Sequence, residues 1–236
     1  MMLRQIKEDI DVALEKDPAA RNALEVFILY PGVHALVAYR FNHWLWSIGL
    51  KFIARTLSQF ARWITGIEIH PAAKIGKRFF IDHGMGVVIG ETSEVGNNVF
   101  VYQGVTLGGL ATKKGKRHPT ISDDVVIGAG AKVLGPIKIG CNTKIGSGSV
   151  VLQDVPEYST VIGVPGRVVF SGVSSEMEDE DGPESFPDPV ARAIECMLDR
   201  LPEMEKEIRQ LKETLKKNGI GDSPVIKEAT RKKNIG

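Results

Sequence analysis

Between Ile67 and Val169 the chain repeats itself every six residues. Ile127, Val133, Ile139, Ile145 and Val151 stand six apart, and Val125, Ala131, Ile137, Thr143 and Ser149 stand two before each of them. Gly128, Gly140 and Gly146 follow three of the aliphatics. Earlier, Ile69, Ile75 and Ile81 keep the same step, and Ile89, Val95, Val101 and Leu107 resume it after a shift of two residues. A six-residue aliphatic period with this much Val and Ile does not fit the 3.6 period of an α-helical solenoid. It predicts a parallel β-helix, in which each step is one face of a triangular prism. One aliphatic fills the axis and the small residue beside it lets the chain turn the corner. Three steps make a coil of roughly 18 residues, so the segment holds on the order of five coils.

The repeat breaks twice, and breaks in a regular pattern are where function is expected. The first break is the two-residue shift, which falls on IDHGMGVV at 81–88. The second is GGLATKKGKRHPT at 108–120, which has no aliphatic six-step and should leave the prism as a loop. Residues 1–66 read as a helical domain, with Val33, Leu36, Val37, Arg40, Phe41, Trp44 and Leu45 mostly at helical spacing. Asp17-Pro18 resembles an N-cap followed by proline at the first helical position, and Gly49 and Gly66 mark helix ends. Residues 67–170 form the β-helix, and 171–189 an acidic linker. A heptad seam from Val190 through Ile194, Met197, Leu201, Met204, Ile208 and Leu211 to Leu215 predicts a coiled-coil helix over 190–218. Pro202 interrupts it, and a basic tail covers 219–236.

Composition bounds the function. The net charge of +1 gives no bulk electrostatic case for nucleic acid or an anionic membrane. The most aromatic stretch, residues 41–57, is interrupted by His43, Lys51 and Arg55 and predicts a packed helix rather than a membrane span. The amphipathic start lacks the apolar core of a signal peptide. Cys141 and Cys196 are the only cysteines, which argues against a disulfide framework or a cysteine-based zinc site and fits a reducing cytoplasm.

Of the five histidines, His34 and His43 fall on predicted helices, and His70 precedes Pro71 at the first prism corner, where structural and functional readings both stand. His83 differs: it follows Asp82 directly, at the irregular coil, with Gly84 and Gly86 allowing close backbone approach, a setting suited to a general base. Glu68 lies 15 residues earlier, near one coil below. A carboxylate there would fix the tautomer of the imidazole and raise its basicity. No serine or cysteine nucleophile has matching context, which favours direct deprotonation of a substrate hydroxyl. Arg117, just before His118 on the extruded loop, can hold a carboxylate bidentately.

Taken together, GIEIHPAAKIGKRFFIDHGMGVVIGET, VYQGVTLGG, GKRHPTI, IGAGAKVLG, KIGSGSVVLQDVP and VIGVPGRVV resemble the serine O-acetyltransferase family, and DPAA and GVHALVAYRFNHWLW resemble the end of its helical domain. The resemblance covers about residues 5–170. It implies a left-handed parallel β-helix, a homotrimer with active sites between neighbouring prisms, acetyl-CoA as donor and L-serine as acceptor, with no metal. It implies that His83 is the base and Glu68 its partner, where many members have aspartate. Asp17 and Asp82 would face the serine ammonium, Arg117 would take its carboxylate, and His118 would lie against the reacting centre. Gly109, Ala129, Lys144 and Ser147 would line the groove for CoA. In the family a C-terminal isoleucine enters O-acetylserine sulfhydrylase; here Ile235 is followed by Gly236, so weak or absent binding of that enzyme is expected. Two rival readings are a hexapeptide acetyltransferase acting on a sugar hydroxyl and a zinc lyase of the β-helix carbonic anhydrase type. A trimeric scaffold without activity would leave the acid–histidine coil unexplained.

Overall fold

The computed structural model describes residues 2–171. The acidic linker, the heptad seam and the Ile235-Gly236 terminus lie outside the described residues. Four helices come first: α1 (Met2–Lys16), α2 (Ala23–Leu29), α3 (Pro31–Ser47) and α4 (Lys51–Thr65). Asp17-Pro18 does not start a helix. It follows the end of α1, where the Asp17 carboxylate accepts from the Ala19 N–H at 2.8 Å and closes a local turn. The N-cap of α2 is Asn22, whose side chain accepts from the Glu25 N–H, and the proline at a first helical position is Pro31 of α3. Gly66 ends α4 in the left-handed conformation.

From Glu68 the chain winds as a left-handed parallel β-helix of five coils. Strands β1 (Glu68–Ile69), β4 (Val88–Ile89), β7 (Thr106–Gly108), β10 (Lys132–Leu134) and β13 (Val150–Val151) stack as sheet one. Strands β2 (Lys74–Ile75), β5 (Glu94–Val95), β8 (Thr120–Ile121) and β11 (Lys138–Ile139) form sheet two. Strands β3 (Phe80–Ile81), β6 (Phe100–Val101), β9 (Val126–Ile127), β12 (Lys144–Ile145) and β14 (Ser159–Ile162) form sheet three, with β15 (Arg167–Ser171) antiparallel to β14. Register places Ile69, Ile89, Leu107, Val133 and Val151 in one axial column. The neighbouring columns run Ile75, Val95, Ile121, Ile139 and Ile81, Val101, Ile127, Ile145, Val161. All are buried, each aliphatic contributing roughly 1.5–3 kcal/mol relative to exposure.

Two coils depart from 18 residues. The first spans 20, because six residues, 82–87, separate β3 from β4 where four, 102–105, separate β6 from β7. The third spans 26, because residues 109–119 leave the prism between β7 and β8.

Strand N–H groups donate to the coil above: Glu68 to Val87, Gly76 to Val95, Phe80 to Val99. The carbonyls of the first coil therefore face the open base, with no coil beneath to satisfy them. Helix α3 supplies the donors. The Tyr39 hydroxyl donates to Ala73 O (2.7 Å), His43 Nδ1 to Pro71 O (2.8 Å), and the Arg40 guanidinium to Ile75 O (2.9 Å) and Gly76 O (2.8 Å). Ala35, Leu36 and Tyr39 join the axial core and close its base. Asp9 of α1 backs Arg40 at 3.3 Å, and the two side chains are 1% and 5% exposed. Gly32 lets α3 approach: a Cβ there would stand 2.3 Å from Ile81 O.

Candidate active site

The two extra residues of the first coil carry the acid–histidine pair out of the corner between sheets three and one. His83 has a left-handed backbone (φ 56°), which costs a non-glycine residue about 1–2 kcal/mol, and its side chain is 75% exposed. Its Nε2 stands 4.0 Å from Asp82 Oδ2. Asp82 is half-buried, and burial together with the negative charge of Asp17 raises its pKa. Asp17 comes to this corner from the α1–α2 turn. Tyr30, immediately before α3, donates its hydroxyl to Asp17 Oδ2 at 2.5 Å. Burial, this hydrogen bond and the nearby charges of Asp17, Glu25 and Asp82 push the Tyr30 pKa upward, so the phenol stays a neutral donor. The sequence identified Asp17, Asp82 and His83 but not Tyr30; its only signal is an aromatic residue beside Pro31, facing no repeat.

Glu68 flanks the same corner one coil below: Gly86 N donates to Gly66 O, and a Cβ on Gly84 would stand 2.4 Å from Ile67 Cδ1. The Glu68 carboxylate pairs with Arg62 at 3.1 Å rather than with His83. That is a largely exposed ion pair, of a kind worth about 0–1 kcal/mol, so little holds the carboxylate there.

The same corner continues upward as a seam of small residues. Gly86, Gly104, Gly130 and Gly148 all have φ between 69° and 77°, which only glycine adopts freely. Each of the upper three donates its N–H to the coil below, to Met85 O, Gln103 O and Ala129 O. Ala129 and Ser147 sit on this seam, and Lys144 lies on the exposed face of sheet three that leads into it.

Arg117, His118 and Gly109 lie elsewhere, at the corner between sheets one and two, where the loop leaves and returns. Arg117 Nη2 donates to Glu91 Oε2 at 2.6 Å, and a Cβ on Gly109 would press on Arg117 Cγ at 3.1 Å. His118 is 8% exposed, held by Thr92 and seated on Gly90. Burial and the Arg117 charge lower its pKa. His70 stands below, its Nδ1 accepting from the Ala72 N–H and its ring edge-on to Trp46 at 5.2 Å. Burial, then the Arg55 charge, pushes its pKa down to about 4, so it is neutral at pH 7. His34 and His43 bond the carbonyls of Phe27 and Pro71 and serve packing. Glu91 and Thr92, the partners of Arg117 and His118 at this corner, were not singled out by periodicity, because both fit an ordinary corner.

One chain thus carries two clusters, an acidic one with the exposed histidine and a basic one with the buried histidine, on the two corners that flank sheet one. Among the described residues no three His, Cys, Asp or Glu side chains are grouped to hold a metal ion, and no single helix is long and apolar enough to cross a membrane.

A family model for bacterial transferase hexapeptide repeats matches residues 118–153. The serine acetyltransferase of Bacillus licheniformis is 58% identical over 217 residues, covering 92% of this chain and 97% of that protein. Among solved structures, Neisseria gonorrhoeae serine acetyltransferase in complex with serine superposes with a TM-score of 0.70 at 43% identity, covering 72% of this chain and 69% of that one. A serine acetyltransferase in complex with CoA superposes with a TM-score of 0.68 at 43% identity, covering 71% and 69%. A five-coil hexapeptide prism with an acid–histidine corner and an Arg-His loop, related this closely over nearly its whole length, has one assignment: the chain belongs to the serine acetyltransferase family.

Proposed function

We propose that the protein transfers the acetyl group of acetyl-CoA to the hydroxyl of L-serine, at sites shared between neighbouring subunits of a trimer. The observation that carries this reading is the division of the site. The carboxylates of Asp17 and Asp82 gather beside His83 at one corner, and Arg117 with His118 stands at another. In a threefold assembly the first corner of one prism faces the second corner of the next. A zwitterionic acceptor then finds carboxylates for its ammonium and a guanidinium for its carboxylate, complementarity that a neutral sugar would leave unused. An ammonium beside Asp82 would also offset the burial and the Asp17 repulsion that raise its pKa.

His83 takes the proton of the serine hydroxyl while the oxygen attacks the thioester carbon. The tetrahedral adduct expels the CoA thiolate, which receives that proton from the imidazolium. Glu68, released from Arg62, orients His83. The glycine seam with Ala129 and Ser147 on one subunit, and Gly109 on the other, admits the pantetheine arm, and Lys144 meets its phosphates. Serine and CoA bound to solved relatives support the two substrates.

Two measurements test the reading. Thiol release from acetyl-CoA should require L-serine; equal release with a galactoside as acceptor would overturn the substrate assignment. His83→Ala and Arg117→Ala subunits, each inactive alone, should regain activity when co-expressed and purified as mixed trimers, because one interface then carries both native residues. Mixed trimers as inactive as their parents would sink the shared site.

A further inference from the structure

The segment 109–119 leaves sheet one after Gly108 and must return in register to start β8. Besides the Arg117–Glu91 ion pair, its return converges on one residue, Thr92, at the corner between sheets one and two. The Thr92 carbonyl accepts from Lys116 Nζ at 2.8 Å. Its hydroxyl oxygen accepts the backbone N–H groups of Arg117 (3.0 Å) and His118 (3.1 Å). Its own N–H donates to His118 Nδ1 at 3.2 Å, and its hydroxyl lies 2.8 Å from the same nitrogen. A backbone N–H can only donate, so Nδ1 must present a lone pair. The Thr92 oxygen already accepts two N–H groups, so its remaining hydrogen also points at Nδ1. The ring proton of the neutral imidazole is therefore on Nε2, which has no hydrogen-bond partner among the described residues.

We infer that Thr92 is a positioning residue that locks His118 as a neutral imidazole protonated at Nε2, giving the site a fixed hydrogen-bond donor instead of a second base. The inference rests on the proposed reaction for its purpose, but the tautomer is measurable without it. The groups facing the ring are consistent with neutrality: burial is the largest influence against a positive charge, Arg117 and Lys116 add to it, Glu91 alone opposes them, and His70 is itself neutral at pH 7. Gly90 completes the seat, since a Cβ there would stand 2.1 Å from Cδ2 and Nε2. In ester formation the thioester oxygen gains negative charge as His83 removes the proton. A neutral, preoriented N–H stabilises that oxygen without competing for the proton.

The test uses full-length protein labelled with 15N at histidine. Two-bond proton–nitrogen spectra, with the His118 signals assigned by their loss in His118→Gln, should show unprotonated Nδ1 and protonated Nε2 from pH 6 to 8. Thr92→Val keeps the shape and the backbone N–H but removes the hydroxyl. Losing the acceptor that seats the Arg117 and His118 amides and one of the two donors to Nδ1 should let the ring shift off the backbone N–H, populate the second tautomer, and lower kcat by about 10²-fold with KM for acetyl-CoA little changed. Thr92→Ser should restore both the nitrogen pattern and kcat. Protonated Nδ1 in the wild type, an unchanged pattern and kcat in Thr92→Val, or a serine variant no better than valine would each overturn the inference. Should Thr92→Val fail to fold, the wild-type spectrum decides alone. A protein with the expected tautomer but no serine acetylation would refute the proposed reaction and leave the lock standing.

Discussion

Arg40 and Asp9 form a buried ion pair whose members should respond unequally to removal. Arg40 donates to Ile75 O and Gly76 O at 2.9 and 2.8 Å and reaches Asp9 only at 3.3–3.4 Å. Replacing it by methionine keeps the volume but leaves two carbonyls of the first coil without donors, each worth about 1–3 kcal/mol if buried and unpaired. It also leaves Asp9 without its counter-charge. Burial is already the largest influence on Asp9 and holds its pKa at about 6. At pH 7 the lone carboxylate can therefore escape by binding a proton, which costs about 1.4 kcal/mol for every pH unit above its pKa. Together these predict a loss of ~3–5 kcal/mol for Arg40→Met at pH 7. Asp9→Asn should cost less, about 1–3 kcal/mol, because Arg40 keeps both carbonyls as acceptors although its buried charge loses its counter-ion. The sign with pH follows from the raised pKa. The folded state binds the Asp9 proton more tightly than the unfolded chain, whose value is 3.8. The resulting stabilisation is complete below that value and is lost as pH rises through about 6. The deficit of Arg40→Met should therefore shrink as pH falls from 7 towards 5. Urea unfolding followed by circular dichroism at pH 5, 6 and 7 measures all three effects. Equal losses for the two variants, or a deficit in Arg40→Met that ignores pH, would refute the clamp.

The remaining predictions concern the site. His83→Ala should lower kcat by about 10²–10⁴-fold with the thermal midpoint little changed, and Glu68→Gln by less, since the imidazole remains; steady-state kinetics separate them. Arg117→Lys keeps a charge but loses the planar fork, so KM for serine should rise while KM for acetyl-CoA holds. Gly90→Ala would place a methyl carbon 2.1 Å from the His118 ring and should expel it, abolishing most activity while circular dichroism stays that of the native β-helix.

The six-residue period was enough to place the axial aliphatics from Ile69 to Val151 apart from Ile121, which follows the extruded segment directly, because a prism face admits one inward aliphatic per step. The two-residue shift at 81–88 was equally legible, and the structure gives its meaning: an extended corner that lifts His83 outward. Hydrogen-bond partners were not legible. Arg40 sits at an apolar helical position, and no pattern tells that its guanidinium serves backbone carbonyls 35 residues away. Asp17-Pro18 has the composition of a helix start, but the carboxylate is spent on Ala19 and Tyr30. Linear spacing also could not show that Arg117 and His118 occupy a different corner from His83, since the extruded segment removes them from the repeat count. Thr92 was silent because threonine is commonplace in β-rich chains.

The direction of the ladder has a consequence for assembly. Because strand N–H groups point towards the last coil and carbonyls towards the first, one end of a bare prism is a triangle of acceptors and the other a triangle of donors. Such ends are complementary to each other, so uncapped copies would stack head to tail without a closing symmetry and grow into a filament. Helix α3 blocks the acceptor end with Tyr39, Arg40 and His43, and β15 folds back beside β14 at the other end. The helical domain is in this sense a terminator of polymerisation. Truncations that begin at Ile67 would therefore be expected to form fibres, visible by electron microscopy, before they lose β-structure.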